Sequence, residues 1–598
     1  MRRVNPPKNA YLVGLVDVGS ASFSNGIRFS ISDLSPPTTR ILPTIYKDRS
    51  GISLYDAQFD PETGERIPIP LRVIKNVTAE LERFSLVCEE YGVPKGNISV
   101  FATEATRTAI NSKELRDHIK EKSGLEVQML SKEEEGNVGA MGIVSSLPTV
   151  KGLVMDLGGG SAQLTWIISE DGMVRTSPKV AVSFPYGAAA VTKRLEDCKD
   201  AHDPEKALED FRKEISQRFR EALDSLEIPP ELTDRARREG GWHLYLSGGG
   251  FRGWGYLLLH ESQKHGQHYP ISIINGFKVF NDQLTNTERL KEVAKNAEKI
   301  FRVSDRRRYQ VPAVAFLINV LSNALPLGGP LVARFCQGGV REGLLFRDLP
   351  RLIRAQDPIA VASAPFARPS AGDFKTLLLR ALPPAAFGMV CPETITSHII
   401  EGLANLCFQH CTLSKELASF SALYCTISGV LASAHGLSHS SRAMIALMLE
   451  SRYDGELPPR EEQYKRLLED ILTPEEVWWC RYAGTVAWLI GQIYPTGAIG
   501  SKPTLWLSAR FAHHLGKSGK KKGVELTVSI PRSIRQIQLV DDPDDDEDED
   551  ENPIVGRTRI EGYAKRIAKV GKRKRWVGGR EGWGMKVKVI VAEQLSLD

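Results

Sequence analysis

The sequence predicts an α/β protein: two similar lobes facing each other over a cleft, then a helical domain and a charged tail. Three observations carry that reading. Short apolar runs alternate with amphipathic stretches through the first half, the pattern of strands joined by helices. One strand–turn–strand unit in that half occurs twice. From about residue 375 the strand signal stops and helical periodicity takes over.

Leu12 to Val16 and Ile27 to Ile31 read as strands. Val73, Val77, Leu81, Phe84, Cys88 and Tyr91 recur at spacings of three and four, one buried helix stripe. Asn97 to Ala102 returns to strand, and Asn111 with Glu114 predicts a capping box opening a short helix. The repeated unit is Gly14-Leu15-Val16-Asp17-Val18-Gly19-Ser20 with a strand through Phe29. Its echo is Gly152-Leu153-Val154-Met155-Asp156-Leu157-Gly158-Gly159-Gly160-Ser161 with a strand from Gln163 to Ile168. Helices are then expected over Leu377–Leu382, Ile399–Cys407, Leu417–Leu431, Ala443–Glu450, Tyr464–Ile471 and Val477–Tyr494. Strand text reappears at Val524 to Ile530. Ten of the eleven residues from Asp541 to Glu551 are acidic, a block that repels itself and stays solvated. A basic stretch from Lys565 to Arg575 follows, and Met585 to Leu595 alternates like an edge strand. The expected boundaries are 8–135 and 136–345 for the lobes, 346–521 for the helical domain and 522–598 for the tail, with a linker at 541–551.

Composition narrows the function. Of 598 residues, 42% are hydrophobic and 25% charged, which is ordinary for a globular protein. A net charge of +5 over this length is too small for a nucleic-acid coat, so no direct nucleic-acid binding is expected. The eight cysteines lack a C-x-x-C and read as reduced thiols inside a cell. No signal peptide is expected, because Asp17 breaks the first apolar run. The most apolar stretch, Val311 to Phe335, carries Asn319, Ser322, Asn323 and Pro326, so no membrane span is expected. A cytoplasmic location follows, with Lys572-Arg573-Lys574-Arg575 leaving a nuclear share open.

The two glycine-rich turns are where chemistry is expected. Glycine brings backbone N–H groups close to an anion without a Cβ in the way. Asp17 and Asp156, each closing the preceding strand, can hold Mg²⁺ between protein and phosphate. Two copies therefore read as two phosphate cradles around one metal.

Five further-reaching motifs bring a resemblance: Asp17-Val18-Gly19-Ser20, Thr103 to Asn111, Ser131-Lys132-Glu133-Glu134-Glu135-Gly136, the Asp156 turn, and Ser247-Gly248-Gly249-Gly250, completed by Gly338 to Leu345. The chain resembles the exopolyphosphatase and guanosine-pentaphosphate phosphohydrolase family, a branch of the sugar kinase, heat-shock cognate and actin superfamily. Asn25 to Ile31 matches a fungal branch that regulates retrograde signalling from mitochondrion to nucleus. The resemblance implies duplicated actin-like lobes. It implies that Glu135 acts on the attacking water, Arg107 clamps phosphoryl oxygens, and Asp156 with Asp17 holds Mg²⁺. Phosphate binding is implied for Gly19, Ser20, Asn25, Gly158, Gly159, Gly160, Ser161, Gly248 and Gly249. The ligand would be polyphosphate, a guanosine polyphosphate or something nucleotide-like, and the partners signalling proteins.

Three departures from the family pattern bear on function. Ala21-Ser22-Phe23-Ser24 separates the first Gly-Ser from Asn25, Gln163 stands where a second carboxylate is usual, and Lys132 replaces a usual glycine. The first two favour a regulator; Glu135, Arg107 and Asp156 keep an exopolyphosphatase-like hydrolase as the alternative. Two weaker signals carry less. Gly248-x-Gly250-x-x-Gly253 lacks the acidic residue a dinucleotide site needs about 20 positions on. Cys407, His410 and Cys411 share a helix face without the paired knuckles of structural zinc.

Overall fold

The computed structural model describes residues 8–18, 26–54, 56–60, 62–179, 181–262, 268–500, 503–516, 519–531 and 559–594. Gly19, Ser20, Asn25, the Ala21–Ser24 stretch and the acidic block 541–551 lie outside the described residues. Two compact units result. The first spans residues 1–361 with 434–438; the second holds 362–433 and 439–598. Among the described residues no helix is long and apolar enough to cross a membrane.

The first unit contains two sheets of the same topology. One is β1 (Leu12–Val18), β2 (Arg28–Asp33), β3 (Thr44–Arg49), β4 (Ile98–Ala102) and β5 (Val127–Met129), in the order β3-β2-β1-β4-β5. The other holds β6 (Val150–Leu157), β7 (Ala162–Glu170), β8 (Met173–Thr176), β9 (Val182–Phe184), β10 (Trp242–Ser247), β11 (Lys278–Phe280) and β12 (Pro330–Phe335), in the order β11-β12-β10-β6-β7-β8. In both, a central strand pairs antiparallel with the next strand and parallel with a later one. The path β8-β7-β6-β10-β12 thus repeats β3-β2-β1-β4-β5, and β11 extends the second sheet. This is the duplicated actin-like arrangement.

Local sequence explains the pieces. Strand β1 is buried along nearly its whole length, as a central strand covered on both faces must be. Against it runs α1 (Leu71–Glu90), which buries Ile74, Val77, Leu81, Phe84 and Cys88. The two approach closely because position 14 is glycine: a Cβ there would lie 2.9 Å from Cys88 Sγ. The expected stripe differs at its ends, with Val73 half-buried and Tyr91 exposed past the helix terminus. The helices α2 (Glu104–Thr108) and α3 (Ser112–Ser123) follow. The Asn111 box does not form. Its amide instead pairs both ways with the Ile69 backbone, at 2.8 and 3.0 Å, and donates to Glu114. A tertiary partner has taken the group that a local cap would have used. A genuine capping box opens α4 (Lys132–Ser145), where Ser131 and Glu134 exchange bonds.

Helices α5 (Ala188–Lys199), α6 (Gly248–Glu261) and α7 (Val340–Arg347) complete the frame of the site. α4 and α7 cross at backbone contact: a Cβ on Gly343 would lie 1.9 Å from Val138 O, and one on Gly142 would lie 2.4 Å from Gly339 O. Buried Arg40 fastens the same region by donating to the carbonyls of Arg354, Ser145 and Leu147.

The second unit contains α8 (Ala371–Arg380), α9 (Ser397–Leu406), α10 (Lys415–Tyr424), α11 (His439–Tyr453), α12 (Pro459–Glu469) and α13 (Pro474–Ile493). The helix expected to reach Leu431 stops at Tyr424, where the carbonyl of that residue accepts from Ile427, Ser428 and Gly429 and turns the chain. The tail is less irregular than expected. β13 (Trp506–Leu515) and β14 (Lys521–Pro531) form a hairpin across the expected 521/522 boundary. After α14 (Arg559–Lys569), β15 (Lys586–Gln594) adds parallel to β14 at the sheet edge.

Candidate functional site

Asp17 and Asp156 occupy equivalent places. Each lies near the end of its central strand, and the antiparallel register sets Asp17 opposite Arg28 and Asp156 opposite Gln163. Asp17 is 5% exposed, and Arg28 Nη1 stands 3.7 Å from its Oδ2. Burial pushes the Asp156 carboxyl above the ordinary carboxylate range, against the pull of Arg252, a bond from Ser247, and Arg28. Arg28 therefore acts on both aspartates, from the first sheet and from the second.

Two glycine turns lie at the Asp156 end of β6. In the Asp156 turn, Gly158 N donates to Ser161 O at 2.9 Å, and the first amides of α5 donate to the carbonyls of Gly158 and Gly159. Among the described residues the N–H groups of Gly159, Gly160 and Ser161 have no such acceptor. Gly248 takes φ +88°, and its Cβ would lie 2.4 Å from Leu157 O. That position requires glycine, and it brings the first turn of α6, with Gly249, beside the end of β6.

Arg107 and Glu135 are also brought together, from α2 and α4. Their side chains approach to 3.6 Å and are 24% and 18% exposed. Arg107 is steadied by donating to the Leu130 carbonyl. Glu135 sits in the first turn of α4, one helical turn before Gly139, and a Cβ on Gly139 would lie 4.0 Å from Gln163 Oε1. The α4 face carrying Glu135 thus looks toward the amide that replaces the family's second carboxylate. That amide carries no charge.

Several charged residues reach this neighbourhood without having been singled out from the sequence. Burial, with repulsion from Arg28 and Arg307, lowers the Arg252 guanidinium to about 10 against the pull of Asp156 and Glu342. Arg252 also donates to the carbonyls of Gly248 and Gln337. Arg307 is pulled down by burial and is repelled by Arg49, Arg28 and Arg302. Burial would raise the Glu342 carboxyl, yet Arg341, Lys47, His435 and the Gly339 N–H hold it at about 2. Arg28 and Arg252 lie within quoted motifs, but only strand register and the first turn of α6 show where they point. Arg307 sits in a short helix with no local signal.

Aspartate oxygens on a partly hydrated ion suit Mg²⁺, which usually takes one or two carboxylates plus phosphate. Asp156 fits that use, since a cation would relieve the carboxyl that burial now disfavours.

Comparison with known proteins gives two family matches. Residues 32–352 match the Ppx/GppA phosphatase family, and residues 357–594 match the RTG2 C-terminal domain. Retrograde regulation protein 2 of Saccharomyces cerevisiae is 40% identical over 504 residues, 82% of each chain. Exopolyphosphatase 1 of Mycobacterium bovis is 29% identical over 98 residues, 16% of this chain and 27% of that protein. Among solved structures, the PPX-GPPA enzyme of Aquifex aeolicus aligns with 21% identity and a TM-score of 0.42, covering 56% of this chain and 99% of that one.

Proposed function

The chain belongs to the Ppx/GppA phosphatase family, and on that premise we propose that it is a cytoplasmic regulator of retrograde signalling whose switch is a phosphate-rich ligand bound in a cleft between the two lobes. The observation that carries this is the charge imbalance around Asp156. Arg28 and Arg252 act on Asp156, Arg28 and Arg307 on Arg252, and Arg49, Arg28 and Arg302 on Arg307, while burial weakens Arg252 and Arg307. Burying cations costs free energy unless an anion compensates them. A chain of phosphates supplies that anion, with the free N–H groups of the Asp156 turn and the first turn of α6 as further donors. Asp156 and Asp17 would hold Mg²⁺, which supplies charge neutralisation on the phosphates. Ligand occupancy would then set the contacts with signalling proteins.

A second reading, a phosphoanhydride hydrolase, is favoured by the Arg107–Glu135 pair. Glu135 would take the proton of the attacking water while Arg107 faces the equatorial oxygens. Gln163 weighs against it, because it puts a neutral amide where the face of α4 carrying Glu135 would otherwise look toward a carboxylate. Phosphate release from inorganic polyphosphate, guanosine pentaphosphate and nucleoside triphosphates separates the two, read beside Mg²⁺–tripolyphosphate calorimetry and complementation of a null strain. For a regulator, Glu135→Ala keeps binding and signalling, whereas Arg252→Ala loses both. If Glu135→Ala binds ligand normally and signalling fails, turnover is the signal and the hydrolase reading replaces the regulator. Unchanged affinity in Arg252→Ala would refute the binding site itself.

A further inference from the structure

We infer that the second unit carries a separate anion site, formed by Lys521, Arg573 and Lys586 and shaped for one phosphomonoester dianion. Three chain segments meet there because glycines let their backbones touch. A Cβ on Gly523 in β14 would lie 2.0 Å from Lys586 O, and one on Gly571 would lie 2.2 Å from Val587 N. The first contact seats the start of β15 on β14. The second brings the turn carrying Lys572 and Arg573 against the same point. At the hairpin end a third glycine completes the convergence. A Cβ on Gly516 would meet Lys521 Cδ at 3.5 Å and Lys586 Cε at 3.9 Å, so the two lysine stems run over the same glycine.

Like charges placed this closely need a reason. Among the described residues no carboxylate stands within ion-pair distance of Lys521, Arg573 or Lys586; the sheet's own Glu525 is occupied by Arg510 and Lys588. Burial holds the Lys586 amine below the ordinary lysine range, and Lys521, Lys572 and Arg573 add to the effect. Backbone packing holds these cations in place, and an anion would offset their repulsion. Two lysine stems over one glycine, with Arg573 acting on Lys586 from the adjoining turn, suit a single phosphate group with two negative charges. The three cations come from β14, the turn after α14, and β15, all within the second unit, so the site is distinct from the Asp156 neighbourhood.

The test uses the full chain with its lysines ¹³C-dimethylated, the Lys586 resonance being assigned by Lys586→Arg. Inorganic phosphate and a phosphoserine peptide are titrated in parallel, since either source presents the same dianion. Saturable movement of the Lys586 resonance is expected, with its titration moving to higher pH, because an anion restores the charged amine. Tighter binding of the peptide identifies a phosphorylated protein as the source, and equal binding identifies the free anion. A Lys521→Ala/Arg573→Ala double variant should weaken either ligand at least tenfold and leave the midpoint of thermal unfolding in place. Arg252→Ala should leave this site intact, so the result stands whatever happens at the aspartates. No saturable shift with either ligand overturns the proposal. So does stronger binding of duplex DNA than of the phosphopeptide, which would make the surface a track for phosphodiesters.

Discussion

Gly343→Ala tests whether the crossing of α4 and α7 holds the site together. The added Cβ would lie 1.9 Å from Val138 O, 2.8 Å from Val138 C and 2.9 Å from Gly142 N. Ordinary contact needs roughly 3.5 Å, so the helices must part by about 1.5 Å. Every obstacle is backbone, and no side chain can swing aside. Overpacking of this kind costs about 1–3 kcal/mol, and the upper end applies here. With a few degrees per kcal/mol for a domain of this class, the first unit should melt about 5 °C earlier. Parting the helices also moves the first turn of α4, which carries Glu135, relative to α7. Gly562→Ala is the control. It lies in α14 with nothing within 4 Å of the new Cβ, and should stabilise by about 0.5–1 kcal/mol through the unfolded state. Urea unfolding of both variants gives the comparison. A Gly343→Ala protein within about 0.5 kcal/mol of the parent would refute the claim that this crossing is fixed by glycine.

Two pH predictions follow from buried groups. Asp156 has a folded pKa above its unfolded value, so its ionisation costs stability as pH rises through the ordinary carboxyl range. Asp156→Asn should therefore be at least as stable as the parent at pH 7, the difference vanishing in acid, while Mg²⁺-dependent ligand binding falls. Thermal unfolding from acid to neutral pH, beside calorimetry, reads both. His243 is held down to about 4 by burial, Arg235 and Arg334, against Glu239. Between that value and the ordinary 6.5 only the unfolded chain carries the proton, so stability should rise with pH through this window. His243→Gln should flatten the rise, and an unaltered slope in thermal unfolding would assign it elsewhere.

The sequence by itself determined the α/β class, the duplication and most helix positions, because these rest on local patterning. The repeated Asp17 and Asp156 units were legible since a central strand and its turn write their own period and glycines. The same local rule failed at Asn111, whose side chain found Ile69 some forty residues away, and at Leu431, where turns replaced a helix with the same apolar content. What joins distant segments only the tertiary structure decided. Register placed Arg28 opposite Asp17, and packing set Gly139, one helical turn past Glu135, toward Gln163. Parallel addition of β15 to β14 brought Lys586 beside Lys521 across more than sixty residues. Electrostatic partners are chosen by through-space distance, which no spacing along one chain records. That is why the aspartates could be read from the sequence and the arginines around them could not.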